Sequence, residues 1–188
     1  TLKLVSTDGH DVTGIIRTAG GVEQNDGSIT TTQNVEIKGL TIDGNRANAG
    51  AGDVDGFYCG PDPNSTEYHD SNITLENVTV QNCSRYGFDP HATTTNLTFT
   101  NCTATGNKDG FTIDGCGLPG AGSGVVITGC TANNNDRHGF NVTTGSSNVL
   151  LSSITAQGNG KVWEVGGSGI VVQTGNNEVR SWTDGVTI

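Results

Sequence analysis

Positive charge is scarce in this sequence: nine Lys and Arg stand against 19 Asp and Glu over 188 residues, a formal net charge of −10. Binding to nucleic acid needs an excess of Lys and Arg, so the charge argues against a nucleic-acid partner. A polyanionic ligand would need locally concentrated positive charge or a metal ion. Long apolar runs are missing as well. None approaches the roughly 18 residues that cross a bilayer, so no membrane span is expected, and no signal peptide is visible. Hydrophobic residues make up only 32% while Gly numbers 29, too lean a mixture for a thick helix-packed core. Met is absent and the chain opens on "TLKLV", which reads as the middle of a strand. Residues 1–188 are therefore expected to form a single domain that is a fragment of a longer module. Five Cys is an odd count and leaves the redox compartment undecided.

What is present is a repeat. Five segments align: "NVEIKGLTIDGN" from Asn34, "NITLENVTVQNC" from Asn72, "NLTFTNCTATGN" from Asn96, "GVVITGCTANNN" from Gly124 and "NVLLSSITAQGN" from Asn148. Their starts are spaced 38, 24, 28 and 24 residues apart, so the first interval carries an insertion. Leu40, Val78, Cys102, Cys130 and Ile154 share an apolar column, and Asn45, Cys83, Asn107, Asn135 and Asn159 share a mostly amide one. The amide column suits a turn, because Asn tolerates left-handed backbone angles and its side chain can bond to the next coil. A second short strand opens with Gly in each repeat: Gly56-Phe57, Gly87-Phe88, Gly110-Phe111, Gly139-Phe140 and Gly169-Ile170. Alternating β-branched residues at a period in the twenties, with no helical apolar period, predict a right-handed parallel β-helix whose coils lie about 4.8 Å apart. Cys102 and Cys130 then fill the interior as small apolar residues. Cys59 and Cys116 lie near insertions, where pairing is open. The Asn-x-Thr triplets at Asn72 and Asn96 arise from the repeat and are discounted as glycosylation signals.

The register assigns faces. With Phe88, Phe111 and Phe140 in the core, Asp89, Thr112 and Asn141 point outward, followed by His91, Asp114 and Thr143. Just before the Gly stand Tyr86, Asp109 and His138, themselves preceded by Arg85, Lys108 and Arg137. An isolated outward Asp is ordinarily a solvated surface residue, and Asp8, Asp26, Asp43 and Asp70 are read so. Asp109 before a Gly fits turn chemistry as readily, and a lone His or Tyr is more often packing than catalysis. Convergence of Tyr86, Asp89, His91, Asp114, Arg137 and His138 on three adjacent coils is different. Folding does not require it, and it marks a candidate site.

The motifs "DGNRANAGAGDVDGF", "YGFDPH", "NLT", "KDGFTID" and "NDRHGFNV" together resemble the catalytic modules of secreted bacterial mannuronan C5-epimerases, calcium-dependent enzymes acting on alginate. The resemblance runs from Lys3 to about Gln173. It implies a right-handed parallel β-helix, a secreted protein, an anionic polysaccharide substrate, calcium as cofactor, and inversion of C5 in β-D-mannuronate to give α-L-guluronate. It implies catalytic roles for Tyr86, Asp89, His91 and Asp114, and substrate binding by Arg137 and His138, joined by Asp109, Asn141 and Lys108 on the same face. No calcium ligands are identified; "DGNR" and "DVDG" resemble pieces of calcium loops without completing one. One departure stands out. Family members usually carry a Lys before "VDGW", where this chain has Asp53 in "GAGDVDGF", and Lys3, Arg17 and Arg46 are the cations available to compensate.

The chemistry suits these residue types. A proton beside a carboxylate is barely acidic until that carboxylate is neutralised by a cation, by Arg137 or by a protonated Asp. A base then removes the C5 proton and an acid returns one from the other face, here His91 as base and Tyr86 as donor. Repulsion between Asp89 and Asp114 is expected to keep one of them protonated. Three alternatives stay open. A lyase would share the carbanion and expel the C4 oxygen. An inverting glycosidase would use Asp89 and Asp114, but leaves Tyr, His and Arg without roles. A non-catalytic polysaccharide-binding β-helix would bind without turnover.

Overall fold

The computed structural model describes residues 1–18, 22–23, 29–60, 70–91, 94–117, 124–161, 166–173 and 184–188. Asp26, read above as a surface residue, lies outside them. Three six-stranded parallel sheets wrap one core. One is built from Gln33–Lys38, Ser71–Glu76, Thr95–Thr100, Val125–Thr128, Ser147–Ser152 and Asp184–Thr187. A second has shorter strands: Leu2–Lys3, Thr41–Asp43, Thr79–Gln81, Thr103–Thr105, Thr131–Asn133 and Thr155–Gln157. The third stacks Ile16–Arg17, Phe57–Cys59, Tyr86–Pro90, Asp109–Asp114, Phe140–Thr143 and Ile170–Val172. Each coil contributes a strand to every sheet, which is the parallel β-helix the repeat predicts.

Like residues stack because the coils repeat. Ile73, Leu97, Val125 and Val149 pair in register, as do Leu75, Phe99, Ile127 and Leu151. Phe111 lies flat between Phe88 and Phe140, with ring centroids 4.5 and 4.9 Å away, and Phe99 meets Phe88 and Phe111 edge-on. Offset stacks and edge contacts of this kind add about 0.5–1.5 kcal/mol each beyond area burial. Opposite the rings the short-strand sheet offers only Ala104, Ala132 and Ala156, so the two sheets approach closely. That explains the Gly before each Phe. A Cβ on Gly110 would sit 2.5 Å from the Gly139 carbonyl oxygen and 2.9 Å from the Asn135 amide nitrogen. Space is what excludes a side chain there.

The amide column divides its work with its neighbours, which corrects the expectation. Within the column only Asn45 takes a left-handed angle, φ 52°; on the later coils it falls on the preceding residues, Asn82, Gly106, Asn134 and Gly158, with φ of 55, 67, 54 and 68°. The column itself makes the inter-coil bonds. Asn107 Oδ1 accepts from Cys83 N at 2.9 Å, Asn135 Oδ1 from Asn107 N at 3.1 Å, and Asn159 Oδ1 from Asn135 N at 3.0 Å. Their amide nitrogens donate to the carbonyls of Val80, Ala104 and Ala132. Asn107 and Asn135 are fully buried, and these bonds satisfy both ends of each amide.

Two of the carboxylates read as solvated are not. Asp70 is buried and accepts from Thr32 N and Gly60 N, each at 3.0 Å, and from the Thr18 hydroxyl. Asp43 accepts from Asn45 N, Gln81 and Asn82. Both pin turns to neighbouring coils, a use of Asp that single-residue reasoning does not reveal. Cys102 and Cys130 fill the interior stack as expected. Cys59 and Cys116 are buried too, and all five thiols are free, so no disulfide joins them.

Candidate active site

The third sheet carries the titratable groups. Its register runs Arg17, Tyr58, Asp89 and then Thr112, Asn141, Val171 along one row of successive strands. Tyr86 pairs with Asp109. At the strand entry, Lys108 N donates to Arg85 O at 2.9 Å and Arg137 N to Lys108 O at 2.8 Å, so three cationic residues occupy successive coils about 4.8 Å apart.

The row is enclosed. Asp89 is 0% exposed, and Tyr58, Thr112 and Asn141 are 3% or less. Both carboxylate oxygens of Asp89 lack a hydrogen bond among the described residues; the nearest charge is Arg85 Nη2 at 3.5 Å. Burial, then the neighbouring Asp55 charge, pushes the Asp89 pKa up to about 8. A carboxyl kept protonated was expected from repulsion by Asp114. Burial and Asp55 are the larger causes.

Beside it, His91 Nε2 lies 3.3 Å from Asp114 Oδ2, while Nδ1 is enclosed without a hydrogen-bond partner. Burial, the largest influence, pulls the imidazole down, but the bond to Asp114 and the charges of Asp89 and Asp114 together outweigh it and leave the His91 pKa above the usual value. Burial likewise opposes ionisation of Asp114, yet the bond and charge of His91 hold it below the usual carboxylate range. The two thus form a charge-paired diad. The His91 ring stacks on Tyr58 with centroids 5.6 Å apart and an interplanar angle of 24°, and Arg17 sits over the same tyrosine at 5.2 Å. Burial and the nearby Asp89 raise the Tyr86 pKa above that of free phenol, so Tyr86 is a proton donor at neutral pH.

One residue central to this cluster escapes the sequence reading. Asp55 is almost fully buried, receives Tyr86 N at 3.1 Å and faces Arg85 Nε at 3.1 Å. Burial, only partly offset by Arg85, raises its pKa to about 6. Extending the Tyr86–Asp109–His138 column one coil back reaches Asp55, and that column was the available signal. Arg137 closes on both oxygens of buried Asp109 through Nε and Nη2. His138 N donates to Asp109 at 2.9 Å, and its Nδ1 accepts from Ser168 N at 3.1 Å. Burial keeps that imidazole neutral, below the usual histidine value. Asn141 Oδ1 accepts from Gln173 at 3.0 Å.

Of the compensating cations, only Arg17 shares this face. Lys3 and Arg46 line a separate cleft of about 660 Å3 with Asp43, Asn45 and Asn82, and Arg46 pairs with Asp136 at 2.5 Å. Asp53 is exposed, its backbone N–H donating to Asp11 at 2.9 Å. Among the described residues no group of three or more His, Cys, Asp or Glu is disposed to hold a metal ion, so the implied calcium finds no fitting ligand set here. No helix among them is long and apolar enough to cross a membrane.

The chain belongs to the right-handed β-helix family: the family model "Right handed beta helix region" matches residues 17–183. It is 41% identical over 179 residues to the mannuronan C5-epimerase AlgE2 of Azotobacter vinelandii, covering 95% of this chain and 16% of that protein. It is also 41% identical over 152 residues to alginate lyase 7 of the same organism, covering 79% of this chain and 16% of the lyase. Among solved structures it is similar to the A-module of the epimerase AlgE6 from Azotobacter vinelandii, with a TM-score of 0.75 and 34% identity over 98% of this chain and 42% of that one. The chain thus spans about a sixth of the length of these curated relatives.

Proposed function

We propose that this chain carries the reaction centre of a mannuronan C5-epimerase, acting on the anionic polysaccharide alginate outside the cell. Its similarity to epimerases over 95% of its length supports the reading. The observation that carries it is the pairing on one strand of two proton-transfer groups in complementary states: Tyr86, whose phenol burial keeps protonated, and His91, whose imidazole is held by ionised Asp114. Five residues along the chain separate them, so their Cα atoms lie at most about 16 Å apart.

In this reading, Asp114 on Nε2 orients the His91 ring, and His91 is the base that accepts the C5 proton. Tyr86 returns a proton from the opposite face and is recharged from solvent. The carbanion stage places a second negative charge on the sugar's carboxylate. The cations Arg85, Lys108 and Arg137 and the protonated carboxyl of Asp89 supply the field that makes this bearable. Calcium, implied by the resemblance, would add positive charge for a polyuronate.

Similarity to an alginate lyase favours a second reading: the same carbanion expels the C4 oxygen and cleaves the chain. Proton NMR of polymannuronate incubated with the protein and calcium in heavy water tests both. Guluronate signals with deuterium at C5 support epimerisation. An unsaturated uronate absorbing in the ultraviolet supports the lyase. Unchanged polymer with folded protein overturns both.

A further inference from the structure

We propose that Arg85 is the residue that receives the carboxylate of the sugar at the reaction centre, an assignment that rests on the polyuronate reading above. Its guanidinium lies between two carboxyl groups, with Nε 3.1 Å from Asp55 and Nη2 3.5 Å from Asp89, and packs over the Tyr86 ring at 4.8 Å. Neither contact closes as a hydrogen bond: Arg85 Nε and both Asp89 oxygens are buried without a hydrogen-bond partner among the described residues. The donors are therefore held in place and unspent. The side chain is 29% exposed, whereas Asp55 and Asp89 beneath it are buried. Of the three groups, Arg85 is the one an incoming ligand can touch.

The chemistry fits a carboxylate. A planar guanidinium with vacant N–H groups matches a planar carboxylate through two parallel bonds. Burial favours the protonated form of Asp89, so Arg85 faces one ionised carboxylate and keeps attraction for another. Its place over Tyr86, with Asp89 two residues before His91, sets a bound carboxylate between the two proton-transfer groups. Charge that develops there when the C5 proton leaves is met by a cation already oriented by Asp55 and Asp89.

The test is equilibrium binding at low salt of two tetramers, β-1,4-linked mannuronate and neutral β-1,4-linked mannose, to wild type, Arg85→Gln and Arg85→Lys. Wild type is expected to prefer the acid. Arg85→Gln is expected to weaken acid binding by about 10- to 100-fold, the range for one charge-assisted contact, and to leave the neutral sugar unaffected. Arg85→Lys keeps the charge without the fork and falls between, and it carries the test if the Gln variant does not fold. Full acid affinity in Arg85→Gln, or in Arg85→Lys if only that variant folds, with wild type still preferring the acid, overturns the assignment and leaves the polyuronate reading standing. A wild type that binds both tetramers alike overturns that reading and the assignment with it.

Discussion

Tyr86 stands between two copies of one device that have settled differently. In the first, buried Asp55 accepts the Tyr86 N–H and faces Arg85; in the second, buried Asp109 accepts the His138 N–H and faces Arg137. Each Asp comes two residues before a core Phe, and its Arg stands three before the core Phe of the neighbouring coil. Arg137 closes on Asp109 with a forked pair of bonds, while Arg85 stays unaligned on Asp55. The difference lies four residues after each arginine. That position is Asp89 in the first copy and neutral Asn141 in the second. Asp89 gives Arg85 a second carboxyl neighbour, 3.5 Å from Nη2, whereas Asn141 at the matching place accepts a hydrogen bond from Gln173. A structural clamp becomes an available cation by exchange of one amide for one carboxyl.

Removing each acid is the most forceful way to break this comparison. Asp109→Ala strips Arg137 of a bidentate partner and leaves the His138 N–H without an acceptor, a loss of about 3 kcal/mol. Asp55→Ala removes a carboxylate that burial already disfavours, and about 1 kcal/mol or less is expected. Urea unfolding at pH 7 measures both. Equal losses would mean that the two pairs are equivalent despite their geometry.

Asp89→Asn converts the first copy into the second. Wild-type Asp55 and Asp89, raised to about 6 and about 8, bind protons in the folded state that an unfolded Asp, with a pKa near 3.9, releases. Stability contributed by these protons is complete below about pH 4 and is lost progressively as pH climbs through 6 to 8. In Asp89→Asn the larger part of that slope disappears, Arg85 closes on Asp55, and stability at pH 8 rises. An unchanged slope in the variant would place the protons elsewhere.

Much of this was legible in the sequence. The columns of Phe, of Cys102 and Cys130, and of Asn107, Asn135 and Asn159 fixed the coils, because a solenoid repeats its contacts and a one-residue slip would turn every side chain to the wrong face. The same register brought His91 beside Asp114. Burial was harder to see. Asp89 points away from the coil interior, which suggested an open face, yet Tyr58, Arg85 and their neighbours cover it. Asp55 was overlooked because its coil presents Tyr58 where the next presents Asp89, and the pattern seemed to end there. Asp43 and Asp70 were misjudged for a related reason: four of their six partners lie 38 residues or more away, beyond what local spacing reveals.

Asp114 offers a finer probe of the same face, since it orients His91 as Asp55 orients Arg85. A base must be neutral to accept the C5 proton, so kcat/KM is expected to rise with pH through the elevated His91 pKa. Asp114→Asn removes the bond and the charge that raise it and leaves burial, which lowers it. The acid limb then moves to lower pH, and maximal activity falls as the imidazole loses its orientation. A limb that stays in place would assign it to another group.

The smallest effect belongs to Arg17, the outermost cation of the row. It lies two strands from Asp89, about 10 Å away, and is exposed, packed over Tyr58. Its contribution to holding a polyanion is that of a solvated charge, about 0.5 kcal/mol, or roughly a twofold rise in KM for Arg17→Gln at low salt. Screening over a Debye length of about 10 Å at 0.1 M removes most of it. Arg85, fixed between two buried carboxyl groups, is screened far less. A salt series on the two variants separates them: the Arg17→Gln defect fades as salt is added and the Arg85→Gln defect persists. If both fade together, the enclosure of Arg85 counts for nothing in binding, and the two arginines are members of one diffuse positive rim.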